Sequence, residues 1–261
     1  MGLSKERISS LAIGRFDGFH LGHMKLLQYL DSNGAVLIIH RPASQYLLPR
    51  EYIPKYINIP TFLYHLDEIQ HLTGFQFIKK LFQDFPNLRK IVVGYDFAFG
   101  KDRQSSATDI GRLCNCDVKI VDEVAIDGYS IHSATIAKLL KLGNIKQANR
   151  LLGRNYTIFG KHIRGQGLGG KKLVPTLNIE FSNFHIPKHG VYLTKTYLEG
   201  ESYFSISFIG NRETTDNQFT LESHLFKFPY RNRNFGEVET QFLDFIRDNR
   251  KFPDLESLKI A

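Results

Sequence analysis

The sequence predicts an α/β chain of two domains, a doubly wound layer followed by a six-stranded antiparallel β-barrel with a C-terminal helix. Three observations predict it. Apolar runs at residues 11–13, 35–39, 90–93 and 118–121 lack in/out alternation, as strands buried on both faces require. Helical spacings lie between them and suit right-handed crossovers. From Asn155 onward the period changes to short strands separated by Gly, Pro and Asn turns.

Taken in order, residues 11–13 form the first strand, and Met24, Leu27 and Leu30 share one face of the first helix. Residues 35–39 form the second strand. The following stretch, 50–65, is broken by Pro49, Pro54 and Pro60 and carries no evident element. Phe75, Ile78, Leu81 and Phe82 mark a second helix, before the strands at 90–93 and 118–121. Ile136, Leu139 and Leu140 mark a third helix. Gly153 ends the helical pattern, so the expected domains are 1–153 and 154–261. Strands are then expected at 156–160, 174–181, 191–198, 203–209, 218–228 and 238–245, with a last helix at 255–260. Six strands at this spacing suit a small barrel, which closes its own edges.

Composition narrows the function classes. Of 261 residues, 42% are hydrophobic and 23% charged, which excludes a disordered chain, and no apolar run is long enough to cross a bilayer. Residues 1–7 lack an apolar signal core, and Glu6 breaks the myristoylation pattern. No membrane partner is expected. Cys114 and Cys116 are too close for an easy bridge and belong to no zinc-like cluster, which points to a reducing cytoplasm. The net charge is +8, with 19 basic against 14 acidic residues in 1–153 and 15 against 12 in 154–261. A surplus spread this evenly serves solubility and small anions rather than a duplex, so no nucleic-acid partner is expected. Oligomeric state is left open.

The stretch Ile13-Gly14-Arg15-Phe16-Asp17-Gly18-Phe19-His20-Leu21-Gly22-His23 follows the first strand and opens the first helix. Open α/β sheets bind ligands at the carboxyl ends of their strands, and helix starts there offer free N–H groups to phosphate. Gly22 lets the backbone approach a phosphate, and His20 and His23 can donate to its oxygens. His20-Leu21-Gly22-His23 resembles the His-x-Gly-His signature of the nucleotidylyltransferases, and the longer phrase resembles the bacterial bifunctional riboflavin kinase/FAD synthetase family. The resemblance implies a Rossmann-like first domain that adenylylates FMN. His20 and His23 would act on the ATP triphosphate, with nucleotide contacts from Gly14, Phe16, Asp17, Gly18, Gly22 and Ser133.

Gly94-Tyr95-Asp96-Phe97-Ala98-Phe99-Gly100 also follows a strand and matches the family's flavin-pocket element, implicating Asp96, Phe97 and Phe99. Two aromatics beside a Gly-bounded loop can pack on a flat ring, and core packing accounts for them equally well. A third block departs from the pattern Ser-Ser-Thr-x-x-Arg. Ser133 is kept, but Ala134 replaces the threonine and Ala137 the arginine. Losing a charge-assisted bond to phosphate removes about 1.5–3 kcal/mol. His132, Thr135 and Lys138 are the neighbours that could compensate.

In the second domain, Gly165-Gln166-Gly167-Leu168-Gly169-Gly170-Lys171-Lys172 nearly spells a P-loop. Lys172 stands where Ser or Thr would bind magnesium, and a strand follows instead of a helix. The stretch Pro175-Thr176-Leu177-Asn178 matches the Pro-Thr-x-Asn of the family's riboflavin kinase module instead. That match implies that Thr176 and Asn178 place Mg²⁺ and the ATP phosphates, with Gly165 in the nucleotide loop. Oxygen ligands suit Mg²⁺, which keeps waters and bridges phosphates. Leu221-Glu222-Ser223-His224-Leu225 matches the strand that makes Glu222 the catalytic base, and Pro187 to Tyr192 matches a turn into a strand. Arg247 and Phe252 fall in the family's closing flavin elements. Gly170 and Leu173 replace the family's Arg and second Gly. The expected function is phosphorylation of riboflavin to FMN and adenylylation of FMN to FAD, with ATP, riboflavin and FMN as substrates. The alternative is a chain that is mainly a riboflavin kinase with a weakened adenylyltransferase.

Overall fold

The computed structural model describes residues 4–163, 175–211, 219–228 and 235–250. It divides into two compact units, Met1–Ser44 with Leu48–Ser133, and Gln45–Leu47 with Ala134–Ala261. In this division the helical segment after Ser133 groups with the barrel.

In the first unit, β1 (Ser10–Gly14), α1 (Leu21–Leu27), β2 (Gly34–His40) and β3 (Thr61–His65) are followed by α2 (Leu66–Ile69), α3 (Gly74–Asp84) and β4 (Lys90–Gly94). The short strands β5 (Ala98–Phe99) and β6 (Ser105–Ser106) precede α4 (Ile110–Leu113) and β7 (Asp117–Val121). A hairpin of β8 (Ala125–Ile126) and β9 (Tyr129–Ser130) leads to α5 (Ser133–Lys141). The five main strands are parallel, in the order β3-β2-β1-β4-β7. The direction of winding reverses between β1 and β4, which makes their carboxyl ends the topological switch point. Pairing of β1 with β2 runs to Gly14↔Ile38, whereas pairing with β4 stops at Ala12↔Val92. The two strands therefore part just before Gly14 and Gly94, and a crevice opens there.

The expected strands at 11–13, 35–39, 90–93 and 118–121 all lie within this sheet. β3 does not stand out in the sequence, because its run Phe62-Leu63-Tyr64 directly follows a proline-broken stretch and an edge strand buries little; its pattern is mostly half-buried or exposed. Pro60 is part of that structure, since its carbonyl accepts from Val36 N–H at 2.8 Å. α3 begins in a Thr73/Gln76 capping box. Its inward stripe is Phe77, Ile78 and Leu81, while Phe75 is exposed, so the expected stripe is corrected by one position. Cys114 and Cys116 are disulfide-bonded, which corrects the expectation that they are too close. Extended Cys114 followed by a bend leaves their Cα atoms 5.5 Å apart, within disulfide reach.

α3 ends on a small polar cluster. Tyr64 Oη donates to Asp84 Oδ2 at 2.6 Å, and Lys80 and Lys5 approach the same oxygen at 3.2 and 3.4 Å. Burial pushes the Asp84 carboxyl up, but the Tyr64 and Lys80 hydrogen bonds and the two lysine charges outweigh it and hold the group below its ordinary value. A depressed folded-state pKa gives stability that is present above the unfolded pKa and is lost as pH falls through the folded one. Asp84→Asn is therefore expected to cost about 1–3 kcal/mol at pH 7, mostly through the tyrosine bond because the lysines are solvent-screened. The difference from the parent should shrink toward pH 3, and urea unfolding at the two pH values checks it.

In the second unit, α5 continues into α6 (Ile145–Leu152) and then β10 (Tyr156–Ile163), β11 (Leu177–Glu180), β12 (Gly190–Leu198), β13 (Glu201–Asn211), β14 (Phe219–Leu225) and β15 (Glu237–Asp248). The strands close into an antiparallel barrel in the order β10-β11-β14-β13-β12-β15. Asn149 joins α6 to it, donating to Phe242 O at 2.8 Å and accepting from Tyr156 N–H at 2.7 Å. Strict alternation along β12 turns Tyr192, Thr194, Thr196 and Leu198 inward. The barrel interior is partly polar: Thr196, Ser205, Thr194, Ser207 and Ser223 form a buried chain of hydroxyl contacts of 2.6–2.8 Å. Small paired hydroxyls satisfy one another in this narrow interior, while the buried Thr240 Oγ1 on β15 has no partner among the described residues. The expected helix at 255–260 lies outside the described residues. No helix among the described residues is long and apolar enough to cross a membrane.

Candidate active sites

The 14–23 loop occupies the carboxyl end of β1 at the crevice. His20 is the N-cap of α1, and its Nδ1 accepts the backbone N–H of His23 at 3.3 Å. An accepting Nδ1 puts the ring proton on Nε2, which is then a donor for a phosphate oxygen. The His20 and His23 rings stack with centroids 3.6 Å apart, and His20 is only 4% exposed. α1 spans seven residues, so side chains and loop N–H groups rather than a long helix dipole are the features available here.

Packing of the loop explains its aromatic residues. Phe16 and Phe19 both have positive φ, 49° and 42°, and their rings stack at 5.3 Å. Phe16 also lies 4.9 Å from the His23 ring and is 2% exposed, so it backs the histidine rather than facing the crevice. Gly18 takes φ 87°, where a side chain would be strained. A Cβ on Gly22 would sit 3.2 Å from the His20 ring and 3.4 Å from Ile131 O, so glycine is what lets the chain pass this closely. Ser133 Oγ donates to Asp17 O at 2.8 Å, which ties the start of α5 to the loop. The would-be Cβ of Gly14 would meet the Phe16 ring at 3.3 Å.

The second crevice loop follows β4. Asp96 is exposed, and its Oδ1 lies 3.2 Å from where a Gly94 Cβ would be. Phe97 is half-buried and stacks on Phe99 at 5.6 Å. Phe99 itself is 6% exposed and packs on Phe77 within the core, so core packing is the reading its surroundings favour. Ala134 is exposed and Ala137 buried, and neither provides a donor. Three side chains not among the expected site residues, Tyr95, Glu123 and His132, meet on this same edge of the sheet.

In the barrel, Asn178 pairs with Glu222 across β11 and β14, so both project outward on one face. Thr176, two residues before Asn178, donates through Oγ1 to Glu222 Oε2 at 3.2 Å. His224 Nδ1 donates to Pro175 O at 2.7 Å and fastens the turn that carries Thr176. Ile163, opposite Asn178, and Phe208, opposite Glu222, flank the polar group with apolar side chains. The site thus offers a hydroxyl, an amide and a carboxylate, all hard oxygen donors fitted to Mg²⁺ shared with substrate phosphates. The hydroxyl keeps lone pairs for a cation while its O–H donates to Glu222. Among the described residues no three His, Cys, Asp or Glu side chains form a metal cluster. Arg247 is half-buried on β15, its backbone paired with Val191. Gly165 and Phe252 lie outside the described residues, as do Gly170 and Leu173.

The riboflavin kinase family matches residues 152–261, and the FAD synthetase family matches residues 56–135. A bifunctional riboflavin kinase/FMN adenylyltransferase of Buchnera aphidicola subsp. Schizaphis graminum is 30% identical, over 96% of this chain and 89% of its own length. Proteins of the same description from Haemophilus influenzae and Bacillus subtilis are 28% and 29% identical. They match over 96% of this chain and cover 90% and 88% of their own lengths. A crystal structure described as a macrolide-efflux protein from Streptococcus pneumoniae superposes with a TM-score of 0.83 at 24% identity. It covers 96% of this chain and 90% of its own, a likeness of fold alone.

Proposed function

Since the chain belongs to the bifunctional riboflavin kinase/FMN adenylyltransferase family, we propose that its two reactions divide between its two units. The barrel phosphorylates riboflavin and the α/β unit adenylylates FMN, in the cytoplasm. Along the sequence, 1–153 is the domain of FAD synthesis and 154–261 the kinase domain, the helices of 134–152 being counted to the first although they group with the barrel.

The observation that carries the kinase assignment is the Thr176–Glu222 hydrogen bond with Asn178 alongside. The ribityl 5′-hydroxyl is a poor nucleophile until it loses its proton. Glu222 takes that proton as the oxygen bonds to the γ-phosphorus, and the bond to the bridging oxygen breaks to release ADP. Thr176 holds the carboxylate in place, and Thr176 and Asn178 are the residues that would hold Mg²⁺ with the ATP phosphates. When bound, the ion neutralises charge on the transferring phosphate.

Adenylylation has different needs. The FMN phosphate is already ionised, so its oxygen attacks the α-phosphorus without a base, and pyrophosphate leaves with the electron pair. Alignment and charge stabilisation are what remain, and the paired histidines at the switch point supply donors for them. Gly14, Gly18 and Gly22 keep the loop open to the nucleotide, Asp17 and Ser133 fix its edge, and Phe16 braces His23. Asp96 and Phe97 border the flavin, with Phe99 behind them. Arg247, Gly165 and Phe252 complete the family set.

The deciding experiment incubates the full chain with riboflavin, ATP and Mg²⁺ and resolves FMN and FAD over time. FMN that appears first and is then converted to FAD supports the proposal. FMN accumulating without FAD favours a chain that is mainly a kinase, a reading motivated by Ala134 and Ala137. Thr176→Ala is expected to raise the Mg²⁺ concentration needed for half-maximal kinase rate by about tenfold, the size of one lost oxygen contact to a charge. The requirement of the adenylylation step should not move in the same titration.

A further inference from the structure

The cluster at the carboxyl ends of β4 and β7 joins Tyr95, from the 94–100 loop, to Glu123 and to His132, the residue before Ser133, and it is built by specific local structure. Asp127 and Gly128 both have positive φ, 52° and 77°, the primed turn a two-residue hairpin needs. The hairpin returns the chain so that Ile131 N–H bonds to Val124 O at 2.9 Å, which sets His132 beside Glu123. Tyr95 N–H bonds to Val121 O at 2.9 Å and extends the β4 ladder, so the tyrosine reaches the same point. Tyr95 Oη donates to Glu123 Oε1 at 2.9 Å, and His132 Nε2 lies 3.3 Å from Tyr95 Oη and 3.6 Å from Glu123 Oε1.

This arrangement orients the imidazole. The phenol gives its proton to the carboxylate, so its oxygen accepts from His132 Nε2–H. The ring's other nitrogen, Nδ1, is then the one a ligand can meet, and it does so as a donor when the ring is doubly protonated. Hydrogen bonds from Ser130, Tyr95 and His132, with the histidine charge, hold the Glu123 carboxyl below its ordinary value, so it stays an anion beside the ring. The His132 and Glu123 side chains are 40% and 45% exposed, open to a solute.

The neighbours of His132 in sequence are fastened to the phosphate loop on both sides. Ile131 O lies 3.4 Å from the Gly22 Cβ position, and Ser133 Oγ bonds to Asp17 O. The histidine thus hangs between two contacts to the loop that carries His20 and His23, at the crevice where β1 and β4 part. Ala137 stands in the position where the resemblance expects an arginine.

We propose that His132, oriented by Glu123 and Tyr95, is the side chain that contacts the ATP polyphosphate and the departing pyrophosphate in adenylyl transfer. Glu123 and Tyr95 are positioning residues acting through it. The inference rests on the crevice being the ATP site. No proton is transferred: the FMN phosphate oxygen bonds to the α-phosphorus, the bond to the β-phosphate oxygen breaks, and His132 donates a hydrogen bond to that leaving group.

The test uses the full chain with His132→Ala, His132→Gln and His132→Arg. FAD formation from FMN is followed at varied ATP, and pyrophosphate binding is measured by calorimetry. Alanine and glutamine are expected to raise KM for ATP and weaken pyrophosphate binding by about 10–100-fold, the range of a lost charge-assisted bond. Arginine should recover both to within about threefold, and KM for FMN should stay put. Wild-type ATP and pyrophosphate affinity in the glutamine variant overturns the proposal, as does an arginine variant no better than glutamine. Glutamine preserves size and polarity, so it decides the matter even where the alanine chain does not fold. A His20→Asn, His23→Ala chain that still makes FAD would instead sink the ATP-site reading itself.

Discussion

Glu222→Ala is expected to lose about 10²–10⁴-fold in the rate of FMN formation from riboflavin, while FAD synthesis from supplied FMN continues at the parent rate. The size follows from the chemistry. An alcohol must shed a proton as it attacks phosphorus, and Glu222 is the carboxylate that Thr176 steadies at 3.2 Å beside Asn178. Removing it takes away the base and leaves the Thr176 hydroxyl without that acceptor. The second half-reaction starts from a phosphate already charged, so it has nothing to lose from this change. Glu222→Gln separates the two effects, since the amide still accepts from Thr176 yet cannot take a proton. It should be nearly as inactive as the alanine variant, with Mg²⁺ dependence closer to the parent. Equal loss of FMN and FAD formation in either variant would argue against separate sites.

Changing both histidines should have the opposite consequence. His20→Asn with His23→Ala is expected to lower FAD formation from FMN by at least about 10²–10³-fold, the usual effect of removing one or more preorganised donors, and to spare the kinase. Asparagine is chosen at position 20 because His20 is also the N-cap of α1. Alanine there would remove about 0.5–2 kcal/mol of capping as well as the imidazole. Asparagine caps well, so the loss then reports chemistry rather than a frayed helix. Measuring both products from one preparation makes FMN formation the internal control. Unimpaired FAD formation would reject the phosphate role of the pair.

Much of this was legible from local sequence. Apolar runs without alternation located four of the five strands of the parallel sheet, and the change of period after Asn155 located the barrel. β3 escaped because its short run Phe62-Leu63-Tyr64 follows a stretch broken by prolines, and an edge strand needs only a half-buried pattern. The hairpin at 125–130 had a readable Asp127-Gly128 signal, but its strands are two residues each, too short for periodicity. Phe16 and Phe99 show the limit from another side. Their positions within functional motifs were evident, whereas burial turned Phe16 into a brace for His23 and Phe99 into core.

The amino-acid sequence by itself determined which segments become strands and helices, where glycines must permit close approach, and which residue types are available for phosphate chemistry. These depend on forces acting within a few residues: side-chain period, turn geometry and capping. Tertiary structure alone decided that Thr176 meets Glu222 across 46 positions, that His132 returns to Tyr95 across 37, and that serines and threonines fill the barrel. Such meetings are set by strand register and closure. Their free energies come from pairings summed over the whole sheet, so no single stretch of chain encodes them.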